Sequence, residues 1–387
     1  MAQQFSVITS TTLSLLDQFQ ATLASPTTAT AEATQPQTPA KDADADADAA
    51  ANALPLLSNS AAALKAQVTK LSLLAITAPF THSAVNTVLR ACNESVLPSL
   101  VTAALLVTPA GYTKAFHSEV LVLVKTVLVE FATMVRDVKG IAEKKDSAKK
   151  DDPKKKEEEI SKTEKDAITV AVGRVWDACD TVSEVANKGV VGFVMRRVEQ
   201  WRDLVKDAVQ ELEDWDPEED DDFFDELMGE EKGAGSDDGF DEDDEDEEDI
   251  AALQEQKKST LRFIKPIAQL YPAILTYRLK NAGNKPLAST AGISKLESLM
   301  LNLQNVPDQV DEVAGALYES NWAKAAVHLK KAKKNAAQAV NSVTSPWDAT
   351  QSVNGEELPG DKFTTWSKTW LKVMDEVSKP IDAAANE

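Results

Sequence analysis

The sequence contains little of what secreted proteins and membrane proteins require. Its two cysteines, Cys92 and Cys179, are too few for a disulfide framework and suit a reducing compartment. No apolar run reaches the roughly 20 residues that cross a bilayer. No Lys or Arg precedes the apolar residues of the first stretch, MAQQFSVITSTTLSLL, so we expect no signal peptide. These absences predict a protein of the cytoplasm and nucleus that does not bind membranes.

Signatures of catalysis and of metal binding are also missing. There is no Gly-rich phosphate loop, no HExxH and no GxSxG motif. A zinc site needs three or four converging ligands, but His82, His117 and His328 lie far apart in the sequence. No Glu-x-x-His pair suggests a carboxylate-bridged metal centre. We predict no metal, no cofactor and no enzymatic activity; an active site assembled from distant carboxylates remains the enzyme alternative.

Clustered positive charge, which nucleic-acid binding requires, is scarce as well. Affinity for phosphates comes from groups of Lys and Arg that release counterions. The densest basic stretch, KKKEEE at 154–159, carries its own neutralising acids. We therefore expect no direct binding of nucleic acid.

Helical periodicity dominates what the sequence does contain. Aromatic residues make up only 6% of the chain and Ala, Leu and Val supply most of its apolar mass, which favours helix over sheet. Apolar residues recur every three or four positions. The pattern predicts helices at about 5–24, 54–78, 80–107, 113–140, 165–187, 190–214, 250–281, 290–317, 318–342 and 362–379. The fold class is therefore all-α.

The length of 387 residues and the interruptions of the helical pattern predict two antiparallel bundles of about five helices each. Their predicted bounds are 1–187 and 188–387. Low composition complexity and high charge predict disordered segments at about 26–53 and 215–249, and the alternating charges predict a charged loop at about 141–164. Pro98 is expected to disrupt the third helix, Asn187 and Gly189 to separate the fifth from the sixth, and Pro307 to divide the eighth.

Leucines recur every seventh residue at Leu57, Leu64 and Leu71. Such a stripe is typical both of a bundle core and of a short coiled-coil seam. We favour the core, and accordingly expect a monomer or a weak dimer.

The negative charge is confined to one segment. Between Glu211 and Asp249 the chain has 24 acidic residues and one basic residue, Lys232, whereas the remainder carries a net charge of +1. Because like charges repel, this segment cannot fold compactly alone. It is either an extended linker or a docking surface for basic proteins.

Apolar side chains interleaved with the acids favour a docking surface, because charge guides encounter and aromatic rings supply buried area. The predicted partner-binding residues are Phe223, Phe224, Leu227, Asp241, Glu242, Asp243, Asp244, Glu245, Asp246, Glu247, Glu248 and Asp249.

Three stretches carry a resemblance to a known family. They are LLVTPAGYTKAFHSEVLVLVKTVLVEF (105–131), RVWDACD (174–180) and WRDLVKDAVQELEDWDP (201–217). Their order resembles that of the cyclin-D-interacting proteins, also called Grap-and-cyclin-D-interacting or cyclin-D-binding proteins. The low-complexity insertions are similar to those of fungal-type members.

The resemblance implies an all-helical, two-part, non-enzymatic adaptor that regulates cell-cycle progression or transcription by binding cyclin-type or other regulators. An acidic chaperone that binds histones or other basic proteins is the alternative function. Removal of residues 216–249 would discriminate between the two.

Overall fold

The computed structural model describes residues 2–24, 43–151, 160–217, 242–280, 282–347 and 361–384. Within these ranges all regular structure is helical and no strand occurs, so the all-α class is confirmed. The chain forms two compact units, residues 1–193 and 194–387.

The N-terminal unit is built from five helices and the first part of a sixth: α1 Ala2–Ala24, α2 Ala43–Ile76, α3 His82–Ala91, α4 Leu97–Leu106, α5 Lys114–Asp151 and α6 Lys162–Asp214. Helix α1 packs against α5 and α3, and α2 packs against α4. An ion pair of 2.6 Å between Lys65 and Asp180 joins α2 to α6. The rings of Phe116 and Phe193 join α5 to α6, with centroids 5.5 Å apart.

The leucine stripe of α2 lies in the core of this unit. Leu57, Leu64 and Leu71 are all buried, with at most 1% of their surface exposed. The largest aromatic side chains of the same core, Phe116 and Phe131, are completely buried. The stripe is therefore used inside the chain and is not available as a seam between chains.

Two predicted interruptions appear where expected. A π-helical turn, Cys92–Val96, separates α3 from α4, which has Pro98 in its first turn. Pro98 lacks an N–H and tolerates only such a position. In α6, Gly189 takes φ 63° and ψ −170°, a conformation that only glycine adopts easily, and so interrupts the helix.

The C-terminal unit contains the rest of α6 and the helices α7 Glu242–Ala268, α8 Leu270–Ile274, α9 Thr290–Tyr318, α10 Trp322–Ser342 and α11 Lys362–Ala384. A π-helical turn, Leu275–Leu279, follows α8, and a 3₁₀ turn, Lys285–Ala288, precedes α9. Helices α9 and α10 form an extensive pair, and α7 packs against α9, α10 and α11. The side chains of Ser289 and Asn321 cap the first turns of α9 and α10.

Several helix bounds differ from the prediction. Helix α2 begins at Ala43 rather than 54, because alanine is the best helix former and acids favour a helix N-terminus. Helix α5 continues to Asp151, into the predicted charged loop. Helix α9 passes through Pro307 without dividing, so the predicted break is wrong.

The largest correction concerns the acidic run. Helix α7 begins at Glu242 rather than about 250, so the prediction of disorder is wrong for residues 242–249. Successive acids in the first turns interact favourably with the helix dipole, and glutamate is itself a good helix former. Residues 218–241 lie outside the described part of the chain.

Candidate protein-interaction groove

In the C-terminal unit, α7 and α11 pack side by side and leave a surface depression, here called the α7–α11 furrow. It consists of two hollows that share Lys265. The larger, of about 1150 Å³, is lined by Ala252, Glu255, Gln256, Lys258, Ser259, Leu261, Arg262, Lys265, Trp322, Glu376, Val377 and Pro380. The smaller, of about 390 Å³, is lined by Lys265, Pro266, Gln269, Trp366, Thr369, Trp370 and Val373.

Tryptophan and aliphatic side chains form the apolar part of the furrow. The rings of Trp366 and Trp370 stack with centroids 6.0 Å apart. Trp370 is 5% exposed, and its Nε1–H donates to the carbonyl of Pro266 at 2.8 Å, which fixes α11 against the end of α7. Val373, one turn further along α11, is 41% exposed. Tryptophan with adjacent exposed aliphatic surface is typical of protein-binding sites.

Three cations spaced along α7 lie at the edge of this apolar surface. Lys265 pairs with Glu213 at 2.5 Å and Lys258 approaches Glu255 at 3.9 Å. Arg262 lies between them, on the exposed surface and in the lining of the larger hollow. The furrow therefore combines an apolar floor with a partly compensated positive edge, which suits an amphipathic helix that carries acids.

A buried arginine fixes the wall formed by α11. Arg278 is 5% exposed, and its guanidinium donates to the carbonyls of Val343 and Thr344 at 2.5 and 2.7 Å. It also donates to both carboxylate oxygens of Asp361, at 2.7 and 3.1 Å, and lies 4.4 Å from the ring centroid of Phe363. One side chain thus ties the end of α10 to the start of α11.

Asp361 has a second role as the N-cap of α11. Its Oδ1 accepts hydrogen bonds from the backbone N–H and the hydroxyl of Thr364, at 2.8 and 2.9 Å. The hydrogen bonds from Arg278, followed by those from Thr364, lower the pKa of Asp361 to about 2. The carboxylate is therefore charged at neutral pH, when it holds both Arg278 and the first turn of α11 in place.

The end of α6 is tied to α7 beside the larger hollow. The ammonium of Lys257 donates to the carbonyl of Glu213 at 3.1 Å and to the carbonyl of Trp215. Trp215 packs edge-on against Tyr318, with centroids 4.9 Å apart. These contacts, with the ion pair between Glu213 and Lys265, place the start of the acidic segment at the side of the furrow.

The structure describes the side chain of none of the twelve predicted partner-binding residues. Phe223, Phe224, Leu227 and Asp241 lie outside the described residues. The remaining predicted contacts, Glu242 through Asp249, form the first turns of α7, of which the structure describes the backbone only. Their role in binding stays a prediction.

Sequence reasoning missed the furrow and also a basic face on α10. Five lysines occur in α10 without an acid between Ser320 and Trp347: Lys324, Lys330, Lys331, Lys333 and Lys334. Lys333 pairs with Asp375 of α11 at 2.9 Å, and Lys324 pairs with Glu319 at 3.0 Å. The i, i+4 and i+7 spacing of Lys258, Arg262 and Lys265 was the signal that could have drawn attention to α7.

The described residues show no assembly suited to metal chemistry. Within them, no three His, Cys, Asp or Glu side chains are grouped as a metal ion would need. His82 bonds to Asp146 at 3.2 Å, His117 to the carbonyl of Val107, and His328 to Gln309 at 3.0 Å. Each of the three histidines thus bonds to a different neighbouring group, and the three bonds lie in different parts of the fold.

Both cysteines are buried, and burial raises the pKa of each thiol to about 12. A thiol of such high pKa is a poor nucleophile. Among the described residues, no helix combines the length and the apolar character that crossing a bilayer requires.

Comparison with known proteins identifies one domain. Residues 56–218 match the family described as Grap2 and cyclin-D-interacting, N-terminal. No curated protein sequence matches the chain. The matched range begins in α2, includes the long apolar helix α5 and ends at the entrance to the acidic segment. Residues 56–218 therefore form a domain similar to the N-terminal domain of the Grap2 and cyclin-D-interacting proteins.

Proposed function

We propose that the protein is a non-enzymatic adaptor that regulates cell-cycle progression or transcription by binding a D-type cyclin or a related regulator. The observation that carries the proposal is the family domain over residues 56–218, whose description is that of an interaction protein. The all-helical architecture and the α7–α11 furrow support the same function, because grooves between helices are common sites for helical partners. We expect it to act in the cytoplasm and nucleus as a monomer or weak dimer.

Binding of the purified full chain to an immobilised D-type cyclin tests the proposal. The measurement is made at about 0.05 M and about 0.5 M salt, since exposed charge is screened within about 8 Å at physiological ionic strength. We expect saturable binding that weakens with salt, and no binding to a cyclin of another type at the same concentration. Failure to bind the D-type cyclin at either salt concentration would contradict the proposed partner.

A second candidate function rests on the acidic segment. Its local net charge, −23 between Glu211 and Asp249, fits an acidic chaperone that binds histones or other basic proteins. Removal of residues 218–241 takes out none of the described helices and removes 12 of the 24 acids. If the chaperone function holds, histone binding is lost in this variant while cyclin binding remains; unchanged histone binding would exclude it.

A further inference from the structure

The loop that follows α10, residues 343–347, has an exposed serine between two anchored neighbours. Ser345 is exposed on this loop, beyond the last turn of α10. On one side of it, the guanidinium of Arg278 donates to the carbonyl of Thr344 at 2.7 Å. On the other side, the Nε1–H of Trp347 donates to the carbonyl of Arg278 at 2.5 Å. The hydroxyl of Ser345 is therefore accessible on a backbone that is held in place.

Ser345 is followed by Pro346, and a serine before a proline is what proline-directed protein kinases recognise. Such kinases bind an extended chain, and a proline disfavours helical backbone at the residue before it. The sequence has four Ser-Pro or Thr-Pro dipeptides, of which two, at Thr108 and Ser345, lie in the described residues. These two can be compared directly.

Thr108 is exposed as well, but a turn engages both its side chain and its backbone. Its Oγ1 accepts a hydrogen bond from the N–H of Gly111 at 3.2 Å, and its carbonyl accepts one from the N–H of Tyr112 at 3.0 Å. A kinase would have to open this turn before it could bind the chain in extended form. The comparison therefore favours Ser345 as the acceptor of a phosphate.

A cation already contacts the hydroxyl of Ser345. The ammonium of Lys295, in the second turn of α9, donates to Oγ of Ser345 at 3.4 Å. A phosphate at this oxygen would bring a charge of about −1.5 to −2 and three strong acceptor oxygens. Because the four-carbon side chain of a lysine is flexible, the ammonium can follow those oxygens. Lys295 is thus placed to bind a phosphate on Ser345.

We propose that Ser345 is a phosphorylation site for a proline-directed kinase and that Lys295 binds the phosphate. In the transfer, Oγ of Ser345 forms a bond to the γ-phosphorus of ATP, the bond between that phosphorus and the bridging oxygen of ADP breaks, and ADP leaves. The hydroxyl proton passes to a base of the kinase. The phosphate then ties the loop after α10 to α9. This inference does not depend on cyclin binding, because it concerns one loop and one lysine of this chain.

Phosphorylation of the purified full chain tests the acceptor. The chain is incubated with ATP, Mg²⁺ and a proline-directed kinase that has no cyclin subunit, and mass spectrometry follows the phosphate at each site. We expect Ser345 to be modified faster than Thr108. Pro346→Ala should lower the rate at Ser345 at least about tenfold, since loss of one recognised group typically lowers kcat/KM by that much or more. Pro109→Ala is the matched control and should leave the rate at Ser345 unchanged.

Phosphorus NMR of the modified chain tests the role of Lys295. A neighbouring cation favours the dianion, so the second pKa of the phosphate should lie below its usual value of about 6. We expect Lys295→Gln to raise this pKa by about half a unit or more. Lys331→Gln is the matched control, because Lys331 is exposed on α10 about three turns before its end.

The chains used for phosphorus NMR lack the other Ser-Pro and Thr-Pro hydroxyls, so that the signal belongs to Ser345. The substitutions that remove them are Ser25→Ala, Thr38→Ala and Thr108→Ala. Far-UV circular dichroism establishes that each variant is folded.

Three results would overturn the proposal. Modification of Thr108 without modification of Ser345 would show that Ser345 is not the acceptor. Equal rates at Ser345 with and without Pro346 would show that the site is not proline-directed. An equal pKa of the phosphate in the chains with Lys295 and with Lys295→Gln would show that Lys295 does not bind it. None of these results involves a cyclin, so failure here is distinct from failure of the proposed function.

Discussion

The two units satisfy their buried polar groups in different ways. In the N-terminal unit, the buried hydroxyls of Thr9 and Thr12 donate to carbonyls one turn back in their own helix, at 3.0 and 2.9 Å. In the C-terminal unit, the guanidinium of Arg278 donates to Asp361, 83 residues away, and to carbonyls at the end of α10. The C-terminal unit also satisfies the buried side chains of Asn302, Ser367 and Ser378 through local bonds, so the difference between the units is the added charged, long-range cluster around Arg278.

This difference shows where each fold is vulnerable. Helix α1, which satisfies its own hydroxyls, depends for its position on the apolar burial of Phe5, Leu16 and Leu23. Helix α2 depends in the same way on the buried stripe of Leu57, Leu64 and Leu71. Helix α11 depends in addition on one buried cation. Because α11 forms a wall of the furrow, loss of that cation is expected to affect the candidate binding surface as well as stability.

The largest expected effect follows from Arg278→Met. The substitution leaves Asp361 and two carbonyls without their charged donor, and the loss of one partner of a buried ion pair typically costs about 3–5 kcal/mol. We expect the free energy of unfolding to fall by that amount in chemical denaturation. Hydrogen exchange should show lost protection at 361–380 and unchanged protection in α5.

Arg262→Met is the matched control, since Arg262 is an exposed arginine of the same unit. Surface substitutions of this kind usually change stability by less than about 0.5 kcal/mol. If Arg278→Met and Arg262→Met lower the free energy of unfolding by similar amounts, the stabilising role of the Arg278 cluster is contradicted.

The second expected effect, in the N-terminal unit, follows from Leu64→Ala. Leu64 is completely buried, and a Leu→Ala change in a core typically costs about 2–5 kcal/mol through lost burial and the cavity left behind. Chemical denaturation should detect the loss, while protection at 361–380 stays unchanged. Leu73→Ala is the control, because Leu73 lies on the same helix but is 56% exposed. A loss of hydrogen-exchange protection in α11 of the Leu64→Ala variant would show that destabilising the N-terminal unit also destabilises the C-terminal unit.

The sequence predicted the helical class and most of the helices, because their apolar periodicity is strong and local. Gly189 and Pro98 were recognised as interruptions for the same reason, since their effects depend on their own backbone chemistry. Helix ends were less predictable: the Asp-Ala repeat and the acidic run have no apolar period, and their helices follow from propensity and from the helix dipole.

The candidate site was predictable only in part. Trp366 and Trp370 are four residues apart in the sequence, the spacing of neighbours on one helical face, and they stack in the structure. Their juxtaposition with Pro266, and that of Arg278 with Asp361, depend on how helices distant in sequence pack together. A periodic pattern in one segment does not contain that information, so the furrow could not be read from the sequence.

The third prediction concerns acid. The pKa of Asp361 is lowered to about 2 in the folded chain, below the ordinary value of 3.8, chiefly by the hydrogen bonds from Arg278. A carboxyl group whose folded pKa is lowered stabilises the fold above the ordinary value, and this contribution is lost as pH falls towards the folded pKa. We therefore expect the wild-type chain to be more stable than Asp361→Asn at pH 6. The difference should narrow between about pH 4 and about pH 2; a difference that stays constant over that range would contradict the assignment.

The smallest expected effect separates the tryptophan hydrogen bond from the tryptophan ring. Trp370→Phe keeps an aromatic ring beside Trp366 but removes the Nε1–H that donates to the carbonyl of Pro266. A single neutral hydrogen bond contributes about 0.5–1.5 kcal/mol, so we expect a loss of about 1 kcal/mol in urea denaturation. Trp366→Phe is the control, because no hydrogen bond of Trp366 joins α11 to Pro266. Equal losses in the two variants would show that ring size, rather than the bond to Pro266, holds α11 against α7.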